Sequence, residues 1–99
     1  MALSNLQKRH LRGQAHHLKP VVMIGQHGLK DSILEEIEIA LDAHELIKVR
    51  VSAEDRDDRT AMIERIVAAS GAYLIQTIGH IAILFRRNHK KPKIALPSA

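Results

Sequence analysis

Residues 20–37, PVVMIGQHGLKDSILEEI, run from an apolar stretch through Gly25-Gln26-His27-Gly28 into an amphipathic one. Proline is tolerated at the first position of a strand, so Pro20 opens a β run from Val21 to Ile24. Beyond the glycines, Ile33, Ile37, Leu41 and His44 recur every three or four residues, with Leu34 and Ala40 beside them. That spacing predicts a helix from Leu29 to about His44. Ser32 and Glu35 have capping-box spacing near its start. Glu35, Glu38, Asp42 and Glu45 form an acidic stripe that reads as a solvated face. The stretch is thus strand, glycine-bounded turn, helix, which is half of a crossover unit.

Working outward, residues 3–17 predict a short helix with Ser4 as N-cap, Leu3, Leu6 (or Gln7) and Leu11 on its apolar side, and Gly13 weakening it. On the other flank, Leu46 to Ser52 alternates, with Ile47, Val49 and Val51 facing one way and Lys48 and Arg50 the other. The run EDRDDR reads as a charged loop ending in an Asp N-cap. Residues 59–70 form a further helix with Met62, Ile66 and Ala69 inward and Gly71 as its stop. Tyr73 to Ile78 and Ile81 to Phe85 are strands joined by Gly79-His80, which suits a tight type II′ hairpin. The order α-β-α-β-α-β-β implies a single two-layer α/β domain over residues 1–97, with a four-stranded mixed sheet. Right-handed crossovers put the two central helices on one face. The packing of the first helix stays open. Residues 88–99, polar, basic and interrupted by Pro92 and Pro97, are expected to form a loosely held tail.

Ninety-nine residues leave no room for a second core. An apolar fraction of 45% with 26% charged residues is ordinary for a globular chain. The lack of cysteine excludes disulfides and thiolate metal sites and fits a reducing, cytoplasmic setting. The longest apolar runs are too short to cross a bilayer, and no basic-then-apolar leader stands at the start, so no membrane partner is expected. Charge is segregated along the chain. Residues 1–30 carry five bases and no acid, residues 31–64 four bases and all eleven acids, and residues 65–99 six bases and no acid. With a pI near 9.8, this points either to a polyanion partner or to a solubilising surface.

The glycine pair also has two readings. A strand leading through Gly-x-x-Gly into a helix places the free N–H groups of a helix start toward solvent, where partial positive charge favours phosphate. KH domains clamp a nucleic-acid backbone with such a loop. Lys30, just beyond, adds a point charge. Alternatively the glycines serve only a tight strand-to-helix turn. The spacings of a P-loop and of a dinucleotide-binding turn are both missing.

The segments HLRGQAHHLKPVVMIGQHGL, then HELIKVRV, EDR, a Gly-Ala start to the third strand and IGHIAILFRR together resemble the CRM domain of the bacterial YhbY type, from about Leu3 to Pro97. The resemblance implies a fold similar to the C-terminal domain of translation initiation factor three. It implies a small RNA-binding protein that associates with precursors of the large ribosomal subunit, hence large-subunit ribosomal RNA as partner. Related domains in plants assist intron splicing in organelles. The loop that touches RNA in the family corresponds here to Gly25, Gln26, His27 and Gly28, with basic residues around it. Many relatives carry Lys and then a small polar residue inside the loop, where this chain has Gln26 and His27. Thr or Ser is frequent where this chain has Lys30. Gln26 can still hydrogen-bond phosphate or sugar, and His27 can stack on a base.

Of the remaining bases, Lys8, Arg9, Arg12 and Lys19 precede the loop and rank next as RNA contacts. Lys48 and Arg50 either extend that patch or are solvated sheet positions. Arg86, Arg87 and the basic tail can grip RNA nonspecifically. If the three crossover strands are parallel, however, Arg86 and Arg87 fall at the opposite edge from the loop. One Tyr and one Phe leave little for base stacking, and both suit the core better. The seven histidines invite a metal or acid–base site, but residues 1–30 lack any acid or thiol to complete one. We therefore expect no cofactor, no metal and no catalysis, and a monomer; a module docking on ribosomal proteins is the alternative.

Overall fold

Alternation of helical and strand periodicity produces seven elements in the predicted order, in a computed structural model that describes residues 2–25 and 28–98. They are α1 (Asn5–Ala15), β1 (Pro20–Ile24), α2 (Asp31–His44), β2 (Leu46–Val51), α3 (Arg56–Ser70), β3 (Tyr73–Ile78) and β4 (Ile81–Phe85). The sheet order is β1-β2-β4-β3. β1 and β2 are parallel, while β4 runs antiparallel to both β2 and β3. β1, β2 and β3 therefore point the same way, and the mixed four-stranded sheet matches the α/β reading.

Local chemistry explains most boundaries. Ser4 caps α1 through a complete capping box: the Gln7 N–H donates to Ser4 Oγ at 3.1 Å, and the Ser4 N–H donates to Gln7 Oε1 at 3.1 Å. Such a cap contributes about 1 kcal/mol, enough to carry the helix through Gly13. α2 begins later than expected, at Asp31, and its N-cap Lys30 makes no side-chain capping bond. The expected Ser32–Glu35 box is not what starts this helix. α3 begins three residues earlier than expected, because Asp55 rather than a later Asp caps it, accepting from the Asp57 N–H at 2.9 Å. In the β3–β4 hairpin, Gly79 has φ +57 and His80 is not in the positive region, which suits type II′ and not type I′.

One sheet face buries Val22, Ile24, Ile47, Val49, Val51 and Leu84 against Ile37 and Leu41 of α2 and Ile66 of α3. Within α3 the inward side is Met62, Ile63, Ile66 and Val67; Ala69, expected inside, is exposed, and Ser70 takes the buried place. Ser70 satisfies its hydroxyl by donating to the Ile66 carbonyl at 2.7 Å. The other face shows where α1 packs. Leu3, Leu11 and Ala15 meet Leu46, Ile75, Ile83 and Phe85, while Leu6 stays exposed at 52%.

Residues 88–98 also differ from expectation. Ile94 and Leu96 pack on that second cluster, and the Pro97 carbonyl accepts from Gln7 Nε2 at 3.0 Å. The anchor is Glu45, which the acidic spacing had assigned to solvent and which is fully buried. Its carboxylate accepts from the backbone N–H groups of Asn88 at 2.6 Å and Ile94 at 2.8 Å, and from that of Lys93. Arg87 completes the set with an ion pair at 3.3 Å. The segment is tied down and not loose.

Candidate nucleic-acid interface

The glycine loop leaves the sheet at the carboxyl ends of β1 and β2. That end is closed by backbone bonds. The Ser52 N–H donates to the Ile24 carbonyl at 3.0 Å, and the Val51 N–H to the His80 carbonyl at 2.7 Å. Strand ends and hairpin turn are thereby zipped into one rigid rim beneath the loop. The Gly28 N–H donates back to the Gly25 carbonyl at 3.1 Å, so this amide is used within the turn. Gln26 and His27, the two variable positions of the loop, lie outside the described residues.

The two glycines answer to different requirements. Gly28 has φ +78, in the left-handed region where a Cβ is strained, although a Cβ there would meet only Met62 Cε at 3.9 Å. Its glycine is demanded by the turn. Gly25 lies outside that region, and a Cβ built on it would meet nothing within 4 Å. Among the described residues, no packing requires glycine at Gly25. A bare backbone at an exposed site that tolerates a side chain leaves room for something from outside the chain to approach closely.

Charge around the loop is one-sided. A cleft toward α3 is lined by Gly25, Ser52, Glu54, Asp55, Asp58 and Met62, and so carries three carboxylates. On the opposite sheet face, Lys48 and Arg50 project from β2, in register with Ile83 and Ile81 of β4. α1 packs on that same face, so Lys8, Arg9 and Arg12 share a side of the molecule with Lys48 and Arg50. Lys19 stands before β1, at the end away from the loop, about 20 Å from Gly25 at the rise of an extended strand. Lys30 is exposed on the α2 side of the loop, with Asp31 next to it in the first helical turn. That acid already complements the helix dipole, so an anion finds the loop and Lys30 more favourable than the helix end itself. Among the described residues, none of these seven bases is engaged in an ion pair.

Arg86 and Arg87 are arranged differently. The antiparallel course of β4 puts them beside the start of β2, at the end remote from the loop. Arg86 bridges Glu38 at 2.6 Å and Asp42 at 2.8 Å and donates to the Ser70 carbonyl at 2.9 Å. Both arginines hold the fold together, and the expectation that they grip RNA has no support in this placement. Replacing Arg86 with alanine is expected to lower stability by about 1–2 kcal/mol in urea unfolding, since the partly exposed pairs contribute little and the carbonyl bond more. Nucleic-acid affinity should be unchanged.

Burial by itself would raise the Glu45 pKa, but the backbone N–H donors of Asn88, Lys93 and Ile94, with Arg87 behind them, hold it below the ordinary 4.5. Sequence spacing missed this residue, and it also missed an apolar row beside Arg50. Met23, Arg50, Ile81 and Ile78 are cross-strand partners on the face that carries α1. Alternation in β1 and β3 marks their common side but says nothing of whether a helix covers it. Among the described residues, no group of three or more His, Asp or Glu side chains is placed to hold a metal ion, and no helix is long and apolar enough to cross a membrane. Tyr73 and Phe85 lie in the α1-side cluster, Phe85 fully buried.

A profile of the CRS1 / YhbY (CRM) domain matches residues 3–86. A Haemophilus influenzae protein named RNA-binding protein is 50% identical over 95 residues, covering 96% of this chain and 95% of its own length. A Bacillus subtilis protein, named probable RNA-binding protein YqeI, is 39% identical over 95 residues, covering 96% and 99%. The solution structure of the hypothetical protein SAV1595 from Staphylococcus aureus superposes with a TM-score of 0.82 at 33% identity, covering 97% of this chain and 100% of the other.

Proposed function

The chain belongs to the CRS1 / YhbY (CRM) domain family, and from that membership we propose that it is an RNA-binding protein acting on precursors of the large ribosomal subunit. It works in the cytoplasm as a monomer, by binding and without catalysis or cofactor. The RNA backbone meets Gly25, Gln26, His27 and Gly28, with Lys30 beside them. Lys48 and Arg50 then continue the contact along the sheet, and Lys8, Arg9 and Arg12 along α1. Lys19, remote from the loop, engages only an RNA long enough to follow the whole face.

The observation that carries this reading is Gly25, an exposed glycine that the fold does not require, set between an acidic cleft and a basic sheet face. A polyanion is repelled on one side of the loop and attracted on the other, which gives the RNA a direction of approach. The names of the Haemophilus and Bacillus relatives support RNA as the partner. Large-subunit precursors come from the family resemblance.

Sedimentation of cell extract tests the proposal. The protein is expected to travel with large-subunit precursors and to be released steeply as salt rises, because bases seated on phosphates displace counterions that added salt drives back. Naked ribosomal RNA should be retained with the same salt slope. Binding to the particles that is insensitive to salt and absent with naked RNA would instead assign the protein to docking on ribosomal proteins. Failure to enter the gradient at all would remove the ribosome from the reading.

A further inference from the structure

The row Met23–Arg50–Ile81–Ile78 crosses all four strands at the rim nearest the glycine loop. α1 covers only the other half of this face, over Leu46, Ile83 and Phe85. Met23 is left 64% exposed and Ile78 57% exposed, on the two edge strands, with Ile81 half-buried between them. What sets these side chains apart from a single exposed residue such as Ile39 is that they form one cross-strand row with Arg50, pairing apolar surface with positive charge.

The charges around the strip select its partner. Lys48 and Arg50 are its only ionised neighbours on the sheet face, and no carboxylate shares that face of the strands. A second copy of the chain, paired symmetrically through this face, would set Arg50 near its own counterpart, which opposes self-association. A polyanion that also presents uncharged surface fits both features. In RNA the apolar surface of that kind is the base face, which is open to side chains only where nucleotides are unpaired and unstacked; a duplex offers base edges in its minor groove but hides the faces. No aromatic ring lies in the row, so the contact is aliphatic packing against bases and not ring stacking.

Resting on the RNA reading above, we propose that the open half of the sheet is a base-binding strip, in which Met23, Ile78 and Ile81 pack on unpaired nucleotides while Arg50 and Lys48 hold the adjoining phosphates. The loop then anchors the backbone, and the strip makes the protein prefer RNA with unpaired nucleotides beside the anchor.

The test compares two probes, a hairpin RNA with an unpaired loop and a blunt, fully paired duplex, by fluorescence anisotropy across a salt series. The variants are Met23→Ser, Ile78→Ser and the two combined, with Ile39→Ser on the exposed side of α2 as control. The double variant should bind the hairpin about tenfold more weakly, since burying two such side chains removes area whose contribution is independent of salt. Its salt slope, its duplex affinity and its thermal midpoint should match wild type, and Ile39→Ser should match throughout. Each single variant should show part of the loss, so the conclusion holds even if the double variant folds poorly. Wild-type binding with unchanged hairpin affinity in folded variants overturns the strip while leaving RNA binding in place. Unchanged RNA affinity together with weaker association to particles overturns it in favour of a protein partner. Wild type binding neither probe overturns the RNA reading, and the strip with it.

Discussion

Replacing Glu45 with alanine is expected to destabilise the fold by about 3–5 kcal/mol, the loss typical when one member of a buried ionic network is removed. The carboxylate is fully buried and accepts from three backbone N–H groups of residues 88–94 as well as from Arg87. Its removal leaves the three backbone N–H groups without that acceptor, while Arg87 keeps only its bond to the Ile94 carbonyl at 2.6 Å. At about 4–8 °C per kcal/mol for a domain of this size, the thermal midpoint should fall by a wide margin.

Glu45 also sits at φ +63, the one non-glycine residue among those described with positive φ. Such a backbone costs about 1–3 kcal/mol and persists only where its surroundings demand it. Glu45→Gly relieves that strain but loses the same carboxylate, so it should unfold at no lower urea concentration than Glu45→Ala. In both variants trypsin should cut faster after Lys90 and Lys93, because the segment they belong to has lost its anchor; Pro92 protects the bond after Lys91.

The same residue sets a pH dependence. Its folded-state pKa lies below the ordinary 4.5, so its contribution is complete above the unfolded-state value and is lost as pH falls through the folded-state value. Wild type should therefore lose stability on acidification below about pH 4.5 more steeply than Glu45→Gln, in which that titration is absent.

Much of this architecture was legible in the residues. The alternation of β2, the Ser4 cap and the Gly79-His80 turn are local signals, each read from fewer than eight neighbouring positions; an Asp cap for α3 was also readable, but not that Asp55 supplies it. They are local because the hydrogen bonds that enforce them are local. Glu45 was not legible. Its place in a run of helix-spaced acids looks like solvent exposure, and its burial depends on backbone amides more than forty residues away that leave no trace in side-chain identity. The open half of the sheet was hidden for a related reason. Strand periodicity assigns Met23, Arg50 and Ile78 to a face, but whether that face is covered depends on where α1 lands, and Leu6 shows that even the inward side of α1 was not settled by its own spacing. In the site, the placement of Lys48 and Arg50 on one strand face was readable, whereas the acidic cleft on the other side of Gly25 appeared only when the loop before α3 was folded against it.

Gly25→Asp is expected to have the largest effect on function. A carboxylate placed where the RNA backbone is to approach adds bulk and like charge at once, and affinity should fall at least tenfold, about 1.4 kcal/mol or more. Gly25→Ala adds bulk alone and should cost less. Neither should disturb the fold much, since a Cβ there meets nothing within 4 Å and the backbone is outside the left-handed region. Gly28→Asp is a poorer test, because φ +78 at that position adds about 1–2 kcal/mol of strain to any loss of binding.

The measurement that bears most directly on the loop as the RNA-binding surface is a titration of ribosomal RNA against wild type, Gly25→Ala and Gly25→Asp, with the thermal midpoint of each protein determined in the same buffer. The expected result is a graded loss of affinity, from wild type through alanine to aspartate, at nearly constant thermal midpoint. Equal affinity for all three folded proteins would contradict the account and move the contact away from the glycine loop, to the bases of α1.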